Sequence, residues 1–561
     1  MKKLLLCFVL FMSMKNTNAQ QMNWGWAYSF GGAYGESGNA ITKDSQGNIY
    51  MAGTFQSGSI NIGNLVLQNT ANGLDDVMLI KFSPTGQPIW VRNAGSVNSL
   101  ERCNAVAVDS ADNVIITGYF ASFGMSFDST VSISNSAGTT DEIFVAKYNS
   151  NGTLLWATSL AGDGQEIAKS VCSDGQGNTY LGGWYSTLTP SLGGLALPNA
   201  PGTGGFVFKL NPAGTPVWVK TQQSSAIEEI YSVTCDPFGN VIATGLFQSN
   251  SMTVDGVTIT NSNTNNTSDA FVVKYDSTGN MHWIRSFEGS GYETAYDVSV
   301  DQDGDIYTSG VYFSPTFSAN SLTVSNAGQG DTYIMKLDSA GNAQWLRSAN
   351  GILNDQAISG TVNANNEYCV AGWFNSPSIS SNGLTISRTQ VTNTTDLLVL
   401  RYNQSGSIIG GSIAHGTGLS AIIADVIDAP NSQYHVTGYF TGQNVYVGST
   451  TFTNTTVGGS RDFFIAEVTN TFTGIEEETE MGTIVVYPNP ASSEVTLQFP
   501  KVVSNAEIRI TDLSGKTLQT TNGYAGTNIQ ISLAGLAAGH YLLSVTEEGN
   551  ATIHLPLIKS N

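Results

Sequence analysis

Tryptophan recurs through most of this chain at Trp26, Trp90, Trp156, Trp218, Trp283 and Trp345, in steps of 64, 66, 62, 65 and 62 residues. A further step of 65 reaches Gly410, inside a degenerate copy of the same pattern. Self-similarity at a fixed period means stacked supersecondary units, each burying its apolar face only against its neighbours. About seven copies fit between Trp26 and Phe472.

Each copy reads alike. An alternating strand such as Phe271-Val272-Val273-Lys274-Tyr275 runs into a tight turn, Asp276-Ser277-Thr278-Gly279, and four residues past that Gly the Trp opens the next strand. A second turn carries Asp44-Ser45-Gln46-Gly47-Asn48, Asp109-Ser110-Ala111-Asp112-Asn113, Asp174-Gly175-Gln176-Gly177-Asn178 and Asp236-Pro237-Phe238-Gly239-Asn240. Nine residues after its first position comes another Gly: Gly53, Gly118, Gly183, Gly245, Gly310 and Gly372. Asp and Asn cap such turns through their side chains, and Gly supplies positive φ. Turns this short join antiparallel neighbours, giving two hairpins per copy. An excursion such as Met252–Ile259 adds a smaller hairpin. Four-stranded units repeated about seven times predict an all-β, about seven-bladed β-propeller. An open β-solenoid is the alternative, although solenoid coils run well below ~60 residues. The last two copies depart from the pattern. Copy six has Asn363-Ala364-Asn365-Asn366, and copy seven reads as Asp428-Ala429-Pro430-Asn431-Ser432 with a one-residue insertion before Gly438.

The alternating Asp-x-x-Gly-Asn-x-Tyr and Gly-x-x-x-Trp blocks resemble the bacterial β-propeller repeats called SBBP, over about Trp24 to Phe472. That resemblance implies a fold and no activity.

Composition narrows the function classes. Lys plus Arg number 22 against 43 Asp plus Glu, a net charge of −21, with 41% hydrophobic and only 12% charged residues. Few cations are available to neutralise phosphates or anionic lipid, so no nucleic acid or charged membrane surface is expected as a partner. The start reads as a secretory signal peptide over residues 1–19: Lys2 and Lys3, then the apolar Leu4–Met12, then Asn16-Thr17-Asn18-Ala19. Its removal, with Lys2, Lys3 and Lys15, takes the net charge from −21 to −24. No other stretch of ~18 apolar residues exists, so no transmembrane segment is expected. Cys103, Cys172, Cys235 and Cys369 are widely and irregularly spaced, and read as buried free thiols.

The repeat array occupies 20–472. Residues 473–482 form an acidic linker around Glu476-Glu477-Glu478. From 483 to 561, short alternating strands such as Val495–Phe499 predict a small Ig-like β-sandwich. Three motifs there, Val486-Tyr487-Pro488-Asn489-Pro490-Ala491, Asp512-Leu513-Ser514-Gly515-Lys516 and Leu536-Ala537-Ala538-Gly539-His540-Tyr541, resemble the type A sorting domain of the type IX secretion system of Bacteroidota. The resemblance implies that Tyr487, Pro488, Asn489, Pro490, Gly515, Lys516, Gly539 and Tyr541 carry the sorting motif. It also implies that the secretion machinery is the domain's partner, and that the chain passes the periplasm to be secreted or held on the outer-membrane surface.

Chemistry-bearing constellations are scarce. His282, His415, His435, His540 and His554 show no metal-ligand spacing, and no nucleophile elbow or phosphate loop occurs. Asp301, Asp303 and Asp305 place three carboxylates at alternate positions, a candidate calcium site, but they coincide with the second turn, where Asp caps the backbone. No catalytic residue and no cofactor-binding residue is assigned, and beyond that calcium no cofactor is expected. The repeated Trp reads as packing between units. The Asp-x-x-Gly-x-x-x-Trp hairpin also resembles the tryptophan-docking motif of quinoprotein dehydrogenases. Two functions stay open. One is a secreted, monomeric, non-enzymatic propeller binding a surface glycan, peptide or protein. The other is a secreted oxidoreductase or hydrolase with its site at the central channel.

Overall fold

The computed structural model describes residues 20–560 except 72, 98, 136–139, 163, 187–190, 198–201, 223–225, 264–266, 389–393, 418–420, 456–459, 470–484, 513–515 and 547–552. The expected signal peptide at 1–19 and the linker at 473–482 lie outside the described residues. The chain divides into two units, residues 1–471 and 472–561.

The first unit is all-β, apart from a 3-10 turn over Pro430–Ser432. Its backbone builds seven four-stranded antiparallel units among the described residues: five stand as separate sheets, one is extended by a small hairpin to six strands, and one is extended to seven by a small hairpin and by Gln20–Gln21, which pairs parallel. We number them one to seven by their first strands: Glu36–Lys43, Glu101–Val108, Gln165–Ser173, Glu228–Cys235, Glu293–Val300, Asp355–Val362 and Ala421–Ala429. Strands two, three and four follow in spatial order, and the small hairpins, such as Ser251–Val254 with Val257–Thr260, lie between strands two and three. Each first strand packs against the first strand of the next sheet, and that of sheet seven packs against that of sheet one. Sheet seven takes its fourth strand from the other end of the chain. Asn23–Phe30 pairs antiparallel with Asp462–Thr469, setting Trp24 opposite Val468 and Phe30 opposite Phe463. Without this pairing each of the two strands would keep a further unpaired edge.

The repeated Trp binds each sheet to the next. Trp90, Trp156, Trp218, Trp283 and Trp345 donate their indole N–H to Ser150 O, Pro212 O, Ser277 O, Ser339 O and Gln404 O at 2.9–3.2 Å, all in the first turn of the following copy. Each ring lies against that turn's glycine; a Cβ on Gly152 would sit 3.0 Å from Trp90. The turns are held as the sequence implies: Asp276 Oδ1 accepts from Thr278 N at 2.8 Å and Asn280 N at 2.9 Å. The second turn repeats this, with Asp44 Oδ1 accepting from Gln46 N and Asn48 N. Copy six keeps the same geometry through Asn363, and Asn366 takes the positive φ that Gly47, Gly177, Gly239 and Gly304 fill in four other copies and Asp112 in copy two.

Two readings of the sequence need correction. Copy seven has no insertion. The ladder pairs Asp428 with Tyr434, Ala429 with Gln433 and Ile423 with Gly438, so Ala429 occupies the turn's first position and Gly438 follows nine residues later as elsewhere. Asp428 instead ion-pairs with Lys43 of sheet one at 2.7 Å. Cys172 and Cys235 are not free thiols. They form a disulfide between the first strands of sheets three and four, with Cα atoms 6.1 Å apart. Cys103 and Cys369 are free and buried.

The second unit is a five-stranded antiparallel sheet. The long strand Glu494–Asp512 pairs with Val485–Tyr487 along its first half, with Gly539–Thr546 along its second, and with Thr517–Ser532 along both, through several register shifts. Val495, Leu497, Ile508, Ile510, Ile529, Leu543 and Leu557 form its core.

Candidate functional site

All seven first strands carry a β-bulge at one register. Asn39, Asn104, Lys169, Tyr231, Tyr296, Ile358 and Ala424 are each left without a partner opposite. The recurrent second-strand glycine lies beside this bulge, and its φ is not positive. A Cβ at Gly53, Gly118, Gly183, Gly245, Gly310, Gly372 or Gly438 would overlap the carbonyl oxygen of Ser37, Arg102, Ile167, Glu229, Thr294, Gln356 or Ile422. The glycine is there for close approach of backbone, and the bulge re-aims a side chain.

The residue after the bulge serves the next sheet. Ser170 Oγ accepts from Val233 N at 3.0 Å, Asp297 Oδ2 from Gly360 N at 3.0 Å, Ser359 Oγ from Val426 N at 3.3 Å and Asp425 Oδ2 from Ile41 N at 2.8 Å. First strands expose one backbone edge, so these side chains satisfy amides that no strand pairs. Ser232 also donates to Asp297 at 3.0 Å and Ser359 to Asp425 at 2.5 Å. Burial raises Asp297 to about 7, the Asp425 charge adding to the effect, and raises Asp425 to about 6.

Inside this ring of strands is an open cavity of about 890 Å3. Lys169 Nζ, Glu229 Oε2 and the Tyr231 ring meet on its wall: the ammonium is 3.0 Å from the carboxylate and 4.0 Å from the ring centroid. Tyr296 packs edge-on against Tyr231 at 5.4 Å, and Tyr119 and Trp184 extend the aromatic surface. Cys172 and Cys235 also line the cavity.

Asp301, Asp303 and Asp305 lie in the second turn of sheet five. Asp301 Oδ1 accepts from Asp303 N and Asp305 N, Tyr307 OH donates to its Oδ2 at 3.3 Å, and Lys336 Nζ is 2.9 Å from Asp305 and 3.5 Å from Asp301. An ammonium thus stands between the two outer carboxylates. The arrangement recurs as Lys81 with Asp44, Lys147 with Asp109 and Lys274 with Asp236, at 3.2, 2.6 and 2.9 Å. Among the described residues, no group of three or more His, Cys, Asp or Glu is placed to hold a metal ion. In sheet seven Glu467 stands where other sheets carry the cation, 3.6 Å from His435 Nε2. His282 Nε2 lies 3.2 Å from Asn240 Oδ1, and His415 packs on Tyr446.

In the second unit the final strand gathers the motif residues. Ile558 N donates to Asn489 Oδ1 at 2.8 Å, and Ala491 N to Ile558 O at 2.9 Å. Gly539 pairs with Lys559, and Tyr541 pairs with both Leu557 and Asp512. The Tyr541 hydroxyl donates to Ala537 O at 2.7 Å, and Lys516 N donates to Asp512 Oδ1 at 3.0 Å. Tyr487 is half exposed, and both Tyr487–Pro488 and Asn489–Pro490 are cis. Gly515 lies outside the described residues. No helix among the described residues is long and apolar enough to cross a membrane.

Residues 485–559 match the family described as secretion system C-terminal sorting domain, which supports export by the type IX secretion system to the exterior or the cell surface. The chain is 23% identical over 496 residues to an uncharacterized WD repeat-containing protein, L264, of Acanthamoeba polyphaga mimivirus, with 72% of this chain and 35% of that protein covered. It is 24% identical over 222 residues to the regulatory protein FlaEY of Caulobacter vibrioides, covering 39% and 21%. The chain thus spans about a third and a fifth of the lengths of these curated relatives. Among solved structures, Sqt1 from Chaetomium thermophilum overlaps with a TM-score of 0.37 at 11% identity, over 78% of this chain and 87% of that one.

Proposed function

We propose that this protein is a secreted or cell-surface interaction protein, an SBBP-type β-propeller of seven blades. Its signal peptide directs it across the inner membrane, and its C-terminal Ig-like domain is the signal for the type IX machinery. The observation that carries the interaction role is the open cavity framed by all seven first strands. A wall of polar and aromatic side chains suits binding, and the carboxylates of Asp297 and Asp425 in its lining already serve as acceptors for backbone amides. No nucleophile–base pair is among the reasons for the reading, and no cofactor forms part of it. The similarity to a WD repeat-containing protein is in keeping with a propeller used for interaction. Tyr487, Asn489, Gly539 and Tyr541 are proposed as the face read during export, together with Lys516.

The test is fractionation of the native host. The full chain should reach the medium or outer surface, and a chain ending at Thr473 should fold and remain in the periplasm. Normal export of the shortened chain would overturn the sorting role. Turnover of a chromogenic glycoside, ester or reduced dye by purified protein, lost on Asp297→Asn, would overturn the non-enzymatic reading.

A further inference from the structure

The residues that hold sheet to sheet recur in copy after copy; the aromatic cavity wall does not. At the bulge, Tyr231 and Tyr296 stand where other sheets have Asn39, Asn104, Lys169, Ile358 and Ala424. On the second strand, Tyr119 and Trp184 stand where sheets one, four and five have Thr54, Leu246 and Val311. Trp373 and Tyr439 hold that register in sheets six and seven, but they do not form part of the cavity lining, and Arg461 covers the Tyr439 ring at 4.5 Å. Tyr119, Trp184, Tyr231 and Tyr296, one from each of sheets two to five, are thus the aromatic side chains that line the cavity, and the pair at the bulge has no aromatic counterpart in the other copies.

We infer that this wall binds a neutral saccharide, an inference that rests on the interaction reading above. A pyranose presents an apolar C–H face edged by hydroxyls. Trp and Tyr offer rigid apolar faces with a polar tip, at little conformational cost. The hydroxyls need donors and acceptors beside those faces. Lys169 and Glu229 supply one of each, mutually neutralised at 3.0 Å. Asn39 and Asn104 spend their side-chain N–H on Cys103 O and Ala168 O, both at 2.8 Å, which leaves their amide oxygens as acceptors. The cavity volume of about 890 Å3 lies within the range of about 300–1,000 Å3 usual for ligand sites. A chain of net charge −21 repels uronates and sulfated sugars, so the fitting class is uncharged.

The experiment titrates the exported protein with cellohexaose, laminarihexaose, mannohexaose and chitohexaose, and with oligo-alginate and a random peptide library in parallel arms. At least one neutral hexasaccharide should bind, with no binding of alginate. Trp184→Ala and Tyr296→Ala should each weaken it about tenfold or more, while Trp373→Ala, at the matching register outside the cavity, should not. Melting curves confirm that each variant is folded. Absence of neutral-sugar binding, binding of alginate alone, or binding indifferent to both Trp184→Ala and Tyr296→Ala overturns the inference. Peptide binding that Trp184→Ala abolishes, without sugar binding, overturns the saccharide class and leaves the interaction function standing. Silence in every arm counts against both.

Discussion

Cys172 and Cys235, 63 residues apart in sequence, join the ends of the first strands of sheets three and four. A cross-link closing a loop of that length contributes about 2–4 kcal/mol, chiefly by restricting the unfolded chain. Cys172→Ser with Cys235→Ser should therefore melt at a lower temperature, and reductant should lower the melting temperature of the wild type but not of the double variant. Cys103 and Cys369 are fully buried, and burial holds the Cys103 thiol up at about 12. Thiol titration of protein lacking residues 1–19 should find no reactive thiol when native, two on denaturation and four after reduction.

The bulge glycines give a sharper test. Gly245→Ala sets a methyl against the Glu229 carbonyl oxygen, a backbone atom that cannot swing aside. We expect a loss of about 2–4 kcal/mol in denaturant titrations. Gly175→Ala is the control: nothing lies within 4 Å of its Cβ and its φ is not positive, so the change should be neutral or stabilising by about 0.4–1 kcal/mol.

Paired buried carboxylates make stability fall as pH rises. Burial lifts Glu36, Glu101 and Glu293 to about 7 and Asp76, Asp269 and Asp355 to about 6, and the nearby charges of Asp76 and Asp269 add to the rise at Glu101 and Glu293. The folded state holds these protons more tightly than the unfolded chain. Their contribution is fully present below about pH 4 and is lost as pH rises to about 7. The turn aspartates act oppositely: hydrogen bonds and Lys81, Lys147 and Lys274 keep Asp44, Asp109 and Asp236 below the usual range against the opposing effect of burial, so their stabilisation is lost in acid. The melting temperature should peak in mildly acidic buffer and decline toward pH 8. Glu101→Gln should flatten the decline; an unchanged slope in that variant would exclude Glu101 as a source.

The tryptophan contact is the fourth test. Trp283 is almost fully buried and its N–H bonds Ser339 O. Trp283→Ala should cost about 3–5 kcal/mol, whereas Trp283→Phe should recover part of that and leave the indole hydrogen bond as the difference.

The packing frame was legible because it repeats. The recurrence of Trp90 and its equivalents marked them as packing between units, Asp44 and Asn48 marked a turn by their spacing, and the pairing of Asn23–Phe30 with Asp462–Thr469 follows from the copy that starts on one strand and ends on its partner. The bulge was hidden because its residue ranges from Ala424 to Lys169; only the glycine beside it is constant, and its spacing from the second turn does not say what it packs against. The disulfide was hidden because Cys172 and Cys235 occupy adjacent rather than equivalent places in their copies, two residues before Asp174 and one before Asp236. The cavity wall escaped notice for a physical reason: Tyr119, Trp184, Tyr231 and Tyr296 come from different sheets, and only curvature of the whole array brings them together.

Asn23 O accepts a hydrogen bond from the Thr469 hydroxyl across 446 positions of sequence. The strand that leaves the ribosome first is thus among the last to be seated, because its partner is made only when the array is nearly finished. Six sheets can assemble in order behind it from local contacts, but the seventh waits on the slowest kind of encounter, between two distant ends. The joint between the two ends thus also times maturation: sheet seven is complete only once the chain has been made as far as Thr469.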